Sequence, residues 1–205
     1  MASIINADTS DGLKITSDTS GQLELQSGGA TQVTVTDTKV TFNQTIVAPV
    51  TTVQTHLNTA SSQATSANTR VNITGLNATI TPSTTSKRIK ITIRWNGEHS
   101  NGLNYNQVYG IKRDTTDVGN PAADGSRPIG IAIVAMGYHA ADSTSTPDSV
   151  MYSYIDSPAT TSATTYHATY INYVAGTLYN QRSVNDSNSV DGERLTSTII
   201  LEEID

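Results

Sequence analysis

The sequence predicts an all-β protein: an N-terminal short-strand β-meander or ribbon followed by an antiparallel sandwich or jelly roll, in a chain that associates with its own copies. Three observations predict it. Apolar residues recur with a period of two in short runs bounded by Gly, Pro, Asn and Asp, and no segment sustains a helical period. Aromatic residues are unevenly placed, Phe42 being the only one before Trp95, while all nine tyrosines lie between Tyr105 and Tyr179. The first third of the chain is therefore too poor in large apolar side chains to build a core as a monomer, which is the reason to expect association.

The pattern divides the 205 residues into three segments. In residues 1–45 the pairs Leu13/Ile15, Leu23/Leu25, Val33/Val35 and Val40/Phe42 alternate with polar residues and are separated by "SDTSG", "SGGA" and "DT". Each unit reads as a short antiparallel strand with one apolar and one polar edge, marginal alone because isolated hairpins are barely stable in water. In residues 46–69, "IVAPVTTVQTHLNTASSQATSAN" shows neither period for long, and reads as a Ser/Thr-rich linker or a loosely held strand. Residues 70–205 carry about eight β-rich runs at sandwich-like spacing, from "RVNITGLNATITP" and "KRIKITIRWNGEH" to "TTYHATYINYV" and "LTSTIILEEI". "IGIAIVAM" within them is nearly continuous in apolar residues, the mark of a strand covered on both faces, the second by a neighbouring subunit.

Composition excludes several function classes. A net charge of −6 and a pI near 5.0 argue against nucleic acid, because the densest basic run, Lys87, Arg88, Lys90 and Arg94, reads as the solvated side of one strand. Cysteine is absent, which removes disulfides, thiolate metal sites and Cys nucleophiles together. No apolar run is long enough to span a bilayer, and "MASIINADTS" lacks the basic start and apolar stretch of a signal peptide, so the expectation is synthesis in a cytoplasm with no membrane insertion.

Chemical motifs are weak. "SDTSG" lacks the Gly that an aspartic-protease site needs directly after Asp-Thr, and reads as a turn. No G-x-S-x-G elbow occurs, and His56, His99, His139 and His167 stand in no recognisable order with Ser and Asp. "DSNSVDGE", from Asp186 to Glu193, is oxygen-rich, but Val190 occupies a ligand position and Gly192 arrives one residue late for an EF-hand, so an Asx-rich turn is expected. No cofactor, metal site or catalytic residue is expected.

Tyrosine suits a place that is apolar on one side and wet on the other. Alternation puts Tyr152 and Tyr154 on one face of their strand, and Tyr166 and Tyr170 on one face of theirs with Tyr173 opposite. The expectation is that one of these sets leaves the domain's own core for a seam between subunits. Two loops mix aromatic rings with amides and carboxylates: "NGEHSNGLNYN", holding His99, Asn101, Asn104 and Tyr105, and "GYHAADSTSTPD", holding Tyr138, His139 and Asp142. Sugars stack their apolar faces on such rings and hydrogen-bond to planar polar groups, so these seven residues are the candidate surface-glycan contacts.

Several stretches resemble bacteriophage virion proteins, in particular tail-fibre and head-fibre proteins of marine phages. "DTSDGLKITSDTSGQLELQSGG" is similar to the opening of many such proteins. "ITPSTTSKRIKITI" resembles the strand-turn-strand that begins their C1q/TNF-like jelly-roll heads, "YIDSPATTSATTYHATYI" a hairpin recurrent in those heads, and "STIILEEI" their closing strand. The resemblance implies a homotrimer packed around a threefold axis, a place on the virion surface, an N-terminal segment that joins another capsid or tail protein, and binding to the host. It yields two expectations: a non-enzymatic short fibre or spike displaying a jelly-roll head to a host surface glycan, or a capsid decoration protein that stabilises the shell. A depolymerase is disfavoured because the acidic residues sit singly in turns instead of paired in a groove.

Overall fold

The structure is a computed structural model describing residues 22–27, 29–43, 51–57, 59–100, 107–134, 144–190 and 192–204. The described residues contain strands and no helix. The chain divides into two compact units, Met1–Ala48 and Pro49–Asp205.

The first unit contains a three-stranded antiparallel meander of β1 (Leu23–Ser27), β2 (Ala30–Val35) and β3 (Val40–Phe42). Gly29, at φ 80°, turns the chain between β1 and β2 in a conformation that costs glycine nothing. Register sets Leu23 opposite Val35 and Val35 opposite Val40, then Leu25 opposite Val33 and Val33 opposite Phe42. Directly opposed residues share a face, so all six apolar side chains lie on one side. Glu24, Thr31, Thr34 and Gln26 occupy the other, joined by hydrogen bonds such as Thr31 Oγ1 to Glu24 Oε2 at 2.8 Å. The pairs expected at Leu23/Leu25, Val33/Val35 and Val40/Phe42 are thus strands; Leu13 and Ile15 lie outside the described residues.

The second unit is a sandwich of two antiparallel sheets. One contains β4 (Thr52–Leu57), β5 (Ser61–Thr65), β7 (Arg88–His99), β11 (Asp148–Asp156), β13 (Gly176–Asn180) and β14 (Ser197–Ile204). The long β7 is its spine. β11 runs along one edge, while β14 pairs with residues 88–94 and β13 with residues 97–99 on the other. β4 and β5 extend the sheet beyond β14 and β13. The opposing sheet is β10 (Ala132–Ile133), β8 (Val108–Arg113), β12 (Thr164–Ile171) and β6 (Val71–Ile80), with β9 (Thr116–Val118) paired to β8. The first strand, β4, lies beside the last, β14, and successive strands from β6 to β8 cross between sheets. This is the strand order of a jelly roll.

The core lies between the sheets. Ile89, Ile91, Ile93 and Trp95 project from β7, Ile199 and Leu201 from β14, and Ile73, Leu76, Ala78 and Ile80 from β6, all buried. In β6 the buried positions slip by one between Ile73 and Leu76, where Gly75 takes φ 79° and the pairing with β12 shifts. The irregularity keeps both halves of β6 facing inward, and a Cβ at Gly75 would lie 3.1 Å from Leu57 Cδ1.

The stretch read as a linker or a loosely held strand holds, among its described residues, two strands of the head, β4 and β5. β4 buries only two large apolar residues, Val53 and Leu57, against the core. β5 has none and is held by polar bonds instead, Gln63 Nε2 donating to the Asn72 carbonyl at 2.9 Å and Gln63 Oε1 accepting from the Thr74 amide at 2.7 Å. Of "IGIAIVAM", read as a strand with one face on the core and the other under a neighbouring subunit, the described residues reach Val134 and include the short strand β10. Only Ala132 and Ile133 pair with β8, Val134 is buried, and Ile133 is 70% exposed. Of the tyrosine sets, it is Tyr173, opposite Tyr166 and Tyr170, that leaves the core, at 61% exposed. Tyr152, Tyr166 and Tyr170 are all buried and Tyr154 packs against the same core. β11 and β12 belong to opposite sheets, so the inward faces of both meet in one interior.

Candidate functional site

Strand register brings together the stems of the two predicted loops. Asp148, at the start of β11, lies opposite Gly97 near the end of β7, and Ile133, in β10, lies opposite Val108 at the start of β8. The described stems of these loops, Ser100 and Gln107 for the first and Val134 and Thr144–Pro147 for the second, therefore lie at one end of the sandwich. The turn from β12 to β13 joins them, since Ile171 faces Val108 and Leu178 faces His99. Of the candidate contacts, Asn101, Asn104, Tyr105, Tyr138, His139 and Asp142 lie outside the described residues.

His99 is described, and it is not in a loop. β7 runs through Asn96, Gly97, Glu98 and His99, and the imidazole is fully buried. Its ring stacks on Tyr170 at 6.0 Å between centroids, with Nε2 3.3 Å from Thr65 Oγ1, and burial holds its pKa below the ordinary value. The physical reason is that β13 pairs with the last residues of β7 and covers them. His99 is therefore an interior side chain, unable to stack on a sugar from outside.

Below the loops the interior is unusually polar. Glu98 accepts from the Thr146 amide and hydroxyl at 3.3 and 2.9 Å and from the Val184 amide at 2.6 Å. One buried carboxylate thereby ties β7 to the segments before β11 and after β13. Asn180 Oδ1 accepts from Trp95 Nε1 at 2.8 Å. Tyr152 donates to the Gly110 carbonyl at 3.0 Å, Tyr109 to Gln107 at 3.1 Å and Tyr166 to Asp156 at 2.7 Å, while Tyr170 accepts from Asn172 at 2.8 Å. Burial raises all four phenol pKa values. Phenols held this far from neutrality stay protonated and serve as fixed hydrogen-bonding groups inside the sandwich.

Two surface features adjoin this end. Tyr173, in the β12–β13 turn, is 61% exposed and the most exposed tyrosine among the described residues. The Asn172 side chain, accepting from the Val174 amide at 3.2 Å, shapes that turn. The sequence pattern placed Tyr173 opposite Tyr166 and Tyr170, which was the available signal for its exposure. Beside β10 an open groove of about 480 Å³ is lined by Val108, Pro121, Pro128, Ile129, Ile131 and Ile133 among others. Its wall is fixed by Arg70, which donates to the Ile129 carbonyl and, at 2.8 Å, to Thr169 Oγ1.

Asp186 pairs with Arg182 and Arg194, and Glu193 accepts from Ser145 at 3.0 Å. Among the described residues no three His, Asp or Glu side chains lie close enough together to hold a metal ion. Comparison of the chain with known protein families and with curated proteins gives no match in either.

Proposed function

We propose that the chain is a non-enzymatic virion structural protein, a short trimeric fibre or spike whose N-terminal unit attaches it to a capsid or tail protein and whose head meets a glycan on the host surface. The resemblance of the N-terminal and head motifs to phage fibre proteins motivates this reading. One structural observation carries it: a closed sandwich, stapled internally by Glu98 and Asn180, gathers the stems of both aromatic, amide-rich loops at one end. Loops on a rigid scaffold are where binding residues concentrate. Tyr173 joins the candidate contacts and His99 leaves them.

The test has two arms. Immunogold labelling and mass spectrometry of purified particles locate the protein; its absence from virions overturns the proposal. Tyr105→Ala, Tyr138→Ala, His139→Ala and Tyr173→Ala are then combined in the full chain, and binding to susceptible cells is measured. The expected result is a loss of binding of at least about tenfold, as stacking aromatic contacts are worth about 1 kcal/mol or more each. Unchanged binding, with the protein found on the capsid, moves the function to shell decoration.

A further inference from the structure

β11 is an edge strand of nine residues. It pairs with β7 along its whole length without an irregularity, and among the described residues no strand pairs with its other side. The direction of its backbone groups follows from the ladders beyond β7. The Glu203 amide donates to the Thr51 carbonyl on the β4 side, so Glu202, Ile200 and Thr198 turn their groups toward Lys90, Thr92 and Arg94. The β7 groups left for β11 are those of Ile89, Ile91, Ile93 and Trp95, opposite Asp156, Tyr154, Tyr152 and Val150. The N–H and C=O groups of Ser149, Met151, Ser153 and Ile155 therefore point away from the sheet. Proteins blunt such edges with charge, proline or a bulge. Residues 149–155 carry none of these, and Met151 and Ile155 are 70 and 46% exposed. An edge this long and regular is a template for another strand.

The geometry points to an acidic, extended segment of a second protein as the partner of β11, added to the six-stranded sheet as a further strand. Backbone groups select a strand, and charge selects its sequence. Register sets Met151 opposite Arg94 and Ile155 opposite Lys90, with Arg88 further along the same outward row of β7. Directly opposed residues share a face. Across this row β11 contributes no charge, and β14 contributes Glu202, which pairs with Lys90 at 2.8 Å. Three cations and one carboxylate thus stand together among the described residues of this face, in a chain whose total charge is −6. An added strand lies about 5 Å from β11 and about 10 Å from β7, a span that a lysine or arginine and a glutamate close between them. Its other face looks toward the β10 edge of the opposing sheet, where Tyr154 and Ile131 pack against the core. The matching sequence therefore alternates acidic with aliphatic residues. The β11 edge of a second copy is a poorer match, because its outer side chains hold no acid and it brings its own Arg94 and Lys90. The assignment goes beyond the virion reading and does not rest on it.

Two peptides of the length of β11, one alternating Glu with Val and the other Lys with Val, are titrated into the purified full-length protein at pH 7. Binding is read by fluorescence anisotropy and the β11 amides by hydrogen exchange. The Glu peptide is expected to bind at least about tenfold more tightly than the Lys peptide, since like charges placed together are rejected. Its affinity should fall about tenfold as salt rises from about 0.05 to about 0.5 M, and it should slow exchange of the Met151 and Ser153 amides. Ser153→Pro removes an outward N–H without touching the β7 ladder and is expected to abolish binding. Arg94→Glu, at an exposed position, leaves the backbone intact and is expected to weaken the Glu peptide at least about tenfold. Failure of the Glu peptide to bind, or equal affinity for the two peptides, overturns the proposal. Binding that leaves Met151 and Ser153 unprotected also overturns it, since the peptide then sits elsewhere. So does slow exchange of these amides in the protein alone, because another segment of the chain or a second copy then covers the edge.

Discussion

Trp95 and Asn180 are joined inside the sandwich by a hydrogen bond of 2.8 Å from the indole nitrogen to the amide oxygen, with both side chains fully buried. The bond fastens β13 to the spine strand β7 at the loop-bearing end. Asn180→Leu keeps similar volume and removes the acceptor, leaving a buried indole N–H without its partner. The expected loss is about 1–3 kcal/mol, read as a lower urea midpoint at unchanged slope. An unchanged midpoint would show that the bond contributes nothing net.

Glu98 is the second staple. Glu98→Ala deprives the Thr146 and Val184 amides of their acceptor, at an expected cost of about 3 kcal/mol for hydrogen bonds to a buried charged group. Hydrogen exchange distinguishes this from general loosening: the Thr146 and Val184 amides should exchange faster while those of Ile91 and Ile93 keep their protection. Uniform acceleration across β7 would contradict the local role.

Stability should fall on both sides of neutrality. Burial lowers the His99 pKa from its ordinary 6.5, and that of His167 likewise, in spite of Asp114 beside it. The unfolded chain then binds more protons than the folded one as pH drops below about 6.5, so stability present above that value is lost on acidification. Burial raises the Tyr109, Tyr152, Tyr166 and Tyr170 phenols above 10.0, the bond to Asp156 adding to the shift at Tyr166. Stability fully present below pH 10 is therefore lost as the pH rises beyond it. Thermal unfolding across pH 4–11 should show a plateau between these limits, and His99→Phe should flatten its acid side. An acid limb of undiminished slope in that variant assigns the loss to other groups.

The head boundary is also testable. A fragment of residues 49–205 retains β4 beside β14 and β5 beside β13 and should unfold cooperatively with native β-sheet content. A fragment of residues 70–205 exposes the outer edge of β14 and loses the Gln63 bonds to β6. It should be markedly less stable or insoluble. Equal melting temperatures for the two would return residues 46–69 to the role of a linker.

The strands that face a core on one side were legible because alternation records a face: Ile89, Ile91, Ile93 and Trp95 along β7, and Ile199 and Leu201 along β14, announce their elements without any partner in view. The same rule recovered the pairs Leu23/Leu25, Val33/Val35 and Val40/Phe42. Alternation is silent where a strand is held by hydrogen bonds instead of burial, which is why "SSQAT" in β5 passed for linker. It is silent as well on which two faces meet, so Tyr152 and Tyr166 could be paired with their strand neighbours but not placed in one interior.

The loop residues show the same limit. Composition picked out the aromatic and amide-rich stretches, yet His99 fell on the strand side of the boundary because β13, nearly eighty residues later in the chain, covers the end of β7. The sequence by itself determined the all-β class, the antiparallel strands and the scarcity of core in the N-terminal third, since each follows from periodicity and composition within a few residues. Only the tertiary structure decided the jelly-roll order, the inclusion of β4 and β5, and the gathering of loop stems at one end. Each of these depends on pairing between residues far apart in the chain, for which local side-chain chemistry carries no record.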